Sequence, residues 1–454
     1  MKTVQSDARS VALSILNALE TGRNTLDSIM ENKMTAALVP DRRERALVTT
    51  LVYGVLRHRS ALDWLIDRFS RTPFDRIDPV IKNILRLGLF QIYYLDRIPD
   101  YAAVNAAVNM AGQVAPRHLS GFVNGVLRGA IRNRKEVSWP DVSEQGVSAL
   151  AIRYSLPEWL LQRWLDRYGR DQLEKTGCLI NTAPPVTVRV NTLKTNAART
   201  MEALAGEVAN VRPGEYSPYA LCFHSPEVPV DELTAFRDGW FQVQDEAAQL
   251  ACRYFDPGPG ETILDACAGR GGKTGHIAQL MNNRGTIRAV DRSRRKLAVL
   301  AKEMDRLGVT NVKTTVADLA RETRLPGPAE YDRVFADCPC SGLGVVRKNP
   351  DTRWSVSLKD IRRHHKKQVG LLDRLAALVR SGGILLYAVC SREPEENEQV
   401  IEAFLNMHPE FDIDSQGGIM AGAAGDLVDQ TGYFKSGIHS HGLDGFFGAR
   451  LKKK

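Results

Sequence analysis

Apolar residues in the first third of the chain recur at helical spacing. Ala8, Val11, Ala12, Ile15, Leu16 and Leu19 form one stripe, closed by Gly22, and Val48, Leu51, Val52, Val55 and Leu56 form another. Similar stripes run over 81–94, 104–111 and 122–131, with Pro79, Pro99 and Pro116 as breaks between them. The pattern predicts an all-α domain of five or more helices over residues 1–140. Periodicity weakens from Val137 to Ser155, around Trp139-Pro140-Asp141, which places a domain boundary there.

Over 150–245 the pattern is mixed. Val186, Val188 and Val190 alternate with Thr187, Arg189 and Asn191, as a strand with one buried face would, and an Ala-rich helix follows over 197–205. This segment reads as a small α/β module. After Asp256-Pro257-Gly258-Pro259-Gly260, strand patterns at 262–267, 286–291, 312–318, 333–337 and 384–390 alternate with helical stretches. Such alternation predicts an α/β Rossmann-like domain over 246–454, with a doubly wound, mostly parallel sheet. Ligands of these sheets sit beyond the carboxyl ends of the strands, which here carry Asp265, Cys267, Asp291, Asp318, Asp337, Cys338 and Cys390.

With 454 residues, 43% hydrophobic and 25% charged, the chain has the mass for several cores, which excludes wholesale disorder, a disulfide mini-scaffold or a fibre. No apolar run approaches the roughly 20 residues of a membrane span, and MKTVQSDARS lacks a basic-then-apolar pattern, so no membrane partner and a cytoplasmic location are expected. Seven cysteines, an odd number on a long chain, point to thiols; Cys178, Cys222 and Cys252 read as small buried apolar groups. The net charge of +8 is concentrated in residues 1–135, with 20 basic against 12 acidic side chains, while the rest holds 41 of each. Arg42, Arg43, Arg45, Arg57 and Arg59 crowd around one helix. Such a face attracts polyanions through counterion release, although charge alone fits a solvated helical surface equally well.

The strand over 262–267 runs into Ala268-Gly269-Arg270-Gly271-Gly272-Lys273-Thr274, where glycines let a ligand approach the backbone at a helix start. A phosphate-binding P-loop would need glycine at Cys267, and a dinucleotide fingerprint from Gly269 would need Gly or Ala at Thr274. Asp291 at the next strand end suits ribose hydroxyls, and Asp318 at the third suits an adenine amino group. A ligand with an adenosine half and no required phosphate fits this series, and S-adenosylmethionine is one. Helix caps or turn carboxylates account for each aspartate taken singly.

Asp337-Cys338-Pro339-Cys340-Ser341-Gly342 follows the fourth strand, and Tyr387-Ala388-Val389-Cys390-Ser391 ends the fifth. In the usual strand order these ends are neighbours, so two thiols and a carboxylate would meet beside a methyl donor. That constellation suits methylation at C5 of cytosine: a thiolate adds at C6, C5 becomes nucleophilic, and a base then takes the C5 proton. The spacing of Cys338 and Cys340 also occurs in zinc sites, but no complementary pair follows at a typical distance, with only His364 and His365 in the vicinity, and no metal is expected. The residues themselves do not say which thiol attacks.

The segments VQDEAAQL, LDACAGRGGKT, AVDRS, DCPCSGLG, RKNPDTRW, YAVCSREPEENE and HGLDGFFGARL resemble the Sun (RsmB, Fmu) family of RNA cytosine-C5 methyltransferases, within the group that includes the NSUN proteins. The resemblance covers nearly the whole chain and implies a NusB-like amino-terminal domain that binds RNA. It further implies S-adenosyl-L-methionine as cofactor and ribosomal RNA, of the 16S small-subunit type, as partner and substrate. By the same resemblance Cys390 is the nucleophile, Cys340 serves release of the methylated base, and Asp337 acts beside them. Cofactor contacts are implied for Cys267, Ala268, Gly269, Arg270, Gly271, Gly272 and Lys273, with Asp291, Asp318 and Asp337. The family loop usually reads Ala-Pro where this chain has Gly269-Arg270, and Ala is more common at Cys338. Arg347, Lys348, Arg353, Arg362, Arg363, Lys366 and Lys367 are expected to extend a phosphate track near the site. A monomer is expected. A transfer-RNA methyltransferase, or an RNA-binding factor with a vestigial catalytic domain, are the alternative readings.

Overall fold

A computed structural model describes residues 7–22, 25–36, 41–114, 116–226, 228–322, 326–415 and 422–454. Residues 1–6, part of the segment read above for a secretory pattern, lie outside the described residues. By internal contacts the chain divides into two units, residues 1–183 with Val346–Ser355, and residues 184–345 with 356–454.

The first unit is helical: α1 (Ala8–Glu20), α2 (Leu26–Ala36), α3 (Arg42–Arg57), α4 (Arg59–Phe69), α5 (Pro79–Tyr94), α6 (Asp100–Val114), α7 (Arg117–Arg132), α8 (Val142–Tyr154) and α9 (Glu158–Ile180). Asp7, Asp41 and Asp78 cap α1, α3 and α5 by accepting first-turn amides, as short acidic side chains do before a helix. The prolines read as breaks stand at helix starts: Pro79 opens α5, Pro99 immediately precedes α6, and Pro116 caps α7. The apolar stripes are the core, where Ile15, Val48, Leu51, Val52, Leu62 and Leu65 are fully buried. Each such side chain contributes about 1.5–3 kcal/mol. Beyond the weakened periodicity after Val137, α8 and α9 carry the unit on to Ala183, with helical geometry broken at Gly146 and Gly169.

Residues 346–355 join this unit through Arg353. Its fully buried guanidinium donates to the carbonyls of Arg57 (3.4 Å), Ser155 (3.2 Å), Ile180 (2.7 Å) and Val346 (3.3 Å), and to Asn181 Oδ1 (2.8 Å). Three of these carbonyls end α3, α8 and α9, so one cation meets the unsatisfied acceptors and negative dipole ends of three helices. Burial, reinforced by nearby Arg57, brings its pKa down to about 9. Trp354 donates to Leu56 O at 2.8 Å, and Asp351 accepts from the amide of Leu26 at the start of α2. Arg353 is therefore a structural cation, and the expectation that it contacts phosphate is corrected.

In the second unit, β1 (Val186–Val190), β2 (Ala209–Pro213), β3 (Ala220–His224) and β4 (Phe241–Val243) form an antiparallel sheet in the order β2-β3-β1-β4, packed with the helix Ala197–Leu204. The alternation in β1 is misleading, because Thr187 and Arg189 are buried as well as Val188 and Val190. Arg189 is satisfied by Gln242, Gln244 and Gln279 and by the carbonyl of Gly272, partners scattered along the chain that local periodicity does not register.

The larger sheet contains β5 (Thr262–Asp265), β6 (Thr286–Asp291), β7 (Val312–Val316), β8 (Tyr331–Asp337), β9 (Val379–Val389), β10 (Phe411–Ile413), β11 (Tyr433–Lys435) and β12 (Phe447–Lys453). Its order is β10-β12-β9-β8-β5-β6-β7, with β11 paired to β12. Strands β5 to β9 are parallel, while β10, β11 and β12 extend the β9 edge antiparallel. Alternate residues bury on opposite faces: Ile263, Ile287, Phe335 and Leu386 in one core, and Leu264, Val290, Val334 and Leu385 in the other. From β5 the chain steps outward to β6 and β7 and returns to β8 on the other side, so the strand order reverses between β5 and β8. A crevice beyond the carboxyl ends at such a reversal is where doubly wound sheets take their ligands.

Candidate active site

The β5 end delivers Asp265 and then the loop Cys267–Lys273, which enters the helix Gly272–Leu280. Gly269 and Gly271 hold φ of 56° and 88°, in the left-handed region that favours glycine. A Cβ on Gly271 would also meet Leu300 at 2.7 Å, whereas at Gly272 it would meet nothing within 4 Å. The loop is thus packed on one side and open on the other. Asp291, at the β6 end, accepts from Gly269 N (3.1 Å) and Ser293 N (2.7 Å), fixing the loop against its neighbour strand. Asp318 turns into its own loop, where it accepts from Ala320 N (3.1 Å) and lies 3.7 Å from Arg321. Arg270 is exposed.

Asp265 is fully buried; Thr274 donates to its Oδ2 at 2.6 Å, and Oδ1 has no partner in the protein. Burial pushes its carboxyl up to about 7, against the pull of that hydrogen bond. Next to it, Lys273 pairs with Asp337 at 2.7 Å. Desolvation opposes the ammonium charge there, but the Asp337 carboxylate outweighs it and holds Lys273 above its ordinary value.

Strands β8 and β9 pair in parallel with Asp337 opposite Ala388, so the loops that follow them leave side by side. Cys340 Sγ and Cys390 Sγ come within 3.3 Å of each other. The backbones are joined as well: Gly344 N donates to Cys390 O (3.0 Å), and Gly445 N to Gly344 O (2.7 Å). That contact admits no side chain at Gly344, where a Cβ would lie 1.9 Å from Gly445 O. The hydrogen bond to Cys390, followed by burial, raises the Cys340 thiol well above its ordinary value. Cys338 points inward and is buried, and burial likewise pushes its thiol up. Cys222 and Cys252 are buried as expected, whereas Cys178 is exposed on α9, so its reading as a buried apolar group is corrected.

Two residues that shape the site were missed in the sequence. Arg189 braces the cofactor-side loop through Gly272 O (2.9 Å), and its only signal was an arginine in a strand taken to face solvent. Glu396 lies fully buried behind both cysteine loops; its signal was the acidic run after Cys390, which reads as surface charge. Among the described residues no group of three or more His, Cys, Asp or Glu side chains is arranged to hold a metal, and no helix is long and apolar enough to cross a membrane.

Three family models match the chain: "16S rRNA methyltransferase RsmB/F" over 252–452, "NusB family" over 6–132, and "Methyltr_RsmF/B-like, ferredoxin-like domain" over 156–231. A Bacillus subtilis (strain 168) protein named "Probable ribosomal RNA small subunit methyltransferase B" is 34% identical, with 99% of each chain covered. "Ribosomal RNA small subunit methyltransferase B" of Escherichia coli O6:K15:H31 is 33% identical, again over 99% of each chain. The crystal structure of PH0851 superposes with a TM-score of 0.81 at 27% identity, covering 99% of this chain and 100% of that one. With the reversed strand order, the glycine loop and the paired cysteines in place, the chain belongs to the RsmB/F family of 16S ribosomal RNA methyltransferases.

Proposed function

We propose that the protein methylates C5 of a cytosine in 16S ribosomal RNA with S-adenosyl-L-methionine, through a covalent bond between Cys390 and C6 of the base. The observation that carries this reading is the 3.3 Å approach of Cys340 and Cys390, from adjacent strand ends, beside the Lys273–Asp337 pair. The crevice suits the cofactor: the orphaned buried Asp265 Oδ1 offers an acceptor, and the loop is open at Gly272. Backbone groups of Cys267 to Lys273 would hold it, with Asp291, Asp318 and Asp337 as further contacts. When bound, S-adenosylmethionine supplies the electrophilic methyl group that C5 accepts.

Cys390 adds as thiolate to C6, and Asp337, at the neighbouring strand end, orients the base. Cys340 then serves the removal of the C5 proton, after which the Cys390 thiolate is expelled and the ring is restored.

RNA affinity is supported by two basic surfaces. Arg42, Arg43 and Arg45 are exposed at the amino end of α3, whereas Arg57 lies over Tyr53, and Arg59 over Trp354 and against Glu20. In the second unit, Arg362, Arg363, Lys366 and Lys367 are exposed along the helix Leu358–Ala376, whose buried Gln368 donates to Pro339 O beside the cysteine loop. Such contacts position a backbone without reading its sequence.

The test is to incubate wild type, Cys390→Ala and Cys340→Ala with labelled S-adenosylmethionine and either unmodified 16S ribosomal RNA or transfer RNA, scoring methyl transfer and denaturant-resistant adduct. Cys340→Ala should accumulate adduct on ribosomal RNA, and Cys390→Ala should give neither adduct nor product. The reverse pattern would make Cys340 the nucleophile, and transfer to transfer RNA alone would overturn the substrate.

A further inference from the structure

The residue after each active-site cysteine is a serine, and both serines reach the same carboxylate. Ser341 N donates to Glu396 Oε1 at 2.8 Å, and the hydroxyls of Ser341 and Ser391 donate to Oε2, the second at 2.7 Å. The two hydroxyl oxygens are 3.3 Å apart. Gln368 adds a fourth donor at 3.3 Å to Oε1 and holds Pro339 O at 3.1 Å, and Tyr387 Oη fixes the Glu396 carbonyl at 2.6 Å. The carboxylate has no solvent exposure.

We infer that Glu396 is a positioning residue that sets the separation of Cys340 and Cys390 by clamping the loops carrying them; this deepens, and rests on, the two-thiol reading of the site. A buried anion that only accepts must be met by donors on every side, and here three of its four donors come from the residues directly following the two cysteines. The parallel ladder of β8 and β9 ends with Asp337 opposite Ala388 and one further bond, from Cys338 N to Ala388 O (2.9 Å), so it places the two loops side by side without reaching Cys340 or Cys390. The distance between the sulfurs is therefore decided beyond the sheet, by this carboxylate and by the bond from Gly344 N to Cys390 O. Glu396 hydrogen-bonds to Ser341 and Ser391 rather than to either sulfur, and it positions the thiols through those serines.

The role predicts a particular failure. Weakening the clamp displaces Cys340 relative to Cys390, so attack by Cys390 continues while release is impaired. Misplacement of a reacting group by about 1 Å can cost on the order of 100-fold in rate. Ser341→Ala with Ser391→Ala, and separately Glu396→Gln, should therefore lower turnover on ribosomal RNA by roughly that factor while leaving KM for S-adenosylmethionine unchanged. In both variants denaturant-resistant adduct should build up although Cys340 is present, as in Cys340→Ala. Glu396→Gln should be the milder, because one oxygen can still accept from the two N–H donors while the hydroxyls rotate to accept from the amide.

An RNA-free readout accompanies this. Dibromobimane, which bridges neighbouring thiols, should join Cys340 to Cys390 in wild type, as mapped by mass spectrometry, with the yield falling in the serine double variant at an unchanged melting temperature. Wild-type cross-linking together with wild-type turnover in both variants would overturn the clamp. If Cys340→Ala itself forms no adduct, the two-thiol reading fails instead, and a reduced cross-link in the variants would still uphold the clamp as a property of the fold. A variant that loses turnover and KM together, with no adduct and a lowered melting temperature in both cases, would reduce Glu396 to a purely structural role.

Discussion

Asp265 stands at the end of β5 with one oxygen satisfied by Thr274 and the other facing no protein donor. Burial raises its folded pKa to about 7 from an ordinary 3.8, so the folded chain holds a proton that the unfolded chain releases. The sign follows from linkage: the contribution to stability is complete below the unfolded value and is lost as pH rises through about 7. Without cofactor, wild type should lose stability across that window, and Asp265→Asn should flatten the loss, as read from denaturant midpoints at several pH values. A slope identical in the two proteins would show that Asp265 is ionised in the folded state. Asp265 was visible in the sequence as a strand-end carboxylate, but its burial was not, because burial depends on which elements cover the strand.

Among the elements, the short stretch Val346–Ser355 departs furthest from what its sequence suggests. RKNPDTRW is basic and polar and was expected to help form a phosphate track, yet Arg353 is fully buried where α3, α8 and α9 end. Helix ends leave carbonyls without partners, and a planar guanidinium can serve several at once. Arg353→Met should destabilise the helical unit by roughly 3 kcal/mol, since several buried carbonyls lose a charged donor. Arg353→Lys should recover little of this, because an ammonium cannot span the same acceptors. Urea unfolding followed by circular dichroism measures both, and a wild-type midpoint for the lysine variant would contradict the geometric argument. Helices α1, α3, α5, α6 and α7 were legible because their stripes, caps and prolines are local signals. α2, α4, α8 and α9 were not read, and in the last two the helical geometry is interrupted at Gly146 and Gly169.

For the whole molecule, the charge excess in residues 1–135 becomes a specific surface only once the fold has sorted its arginines. Arg86 is spent on Asp63 and Glu20, and Arg59 on Glu20, while Arg42, Arg43 and Arg45 stay exposed. Replacing these three by alanine should reduce the dependence of log Kd for ribosomal RNA on log salt by about two to three, if each contacts a phosphate. Filter binding over a salt series checks this, and an unchanged slope would move the RNA contact elsewhere. Methyl transfer at saturating RNA should be unaffected, since none of the three lies among the residues of the cysteine or cofactor loops.

By itself the sequence determined the helical and α/β halves, the strand ends that carry the chemistry, and the pair of cysteine motifs, all through periodicity and short motifs that act over a few residues. The usual strand order of a doubly wound sheet already made the two cysteine motifs neighbours, but the 3.3 Å contact of Cys340 with Cys390, the carboxylate of Glu396 behind both and the capture of Arg353 by three helix ends were decided only in the tertiary structure. Each of these joins residues far apart in the chain, and a buried polar group declares its partners only when the fold removes the water that would otherwise satisfy it.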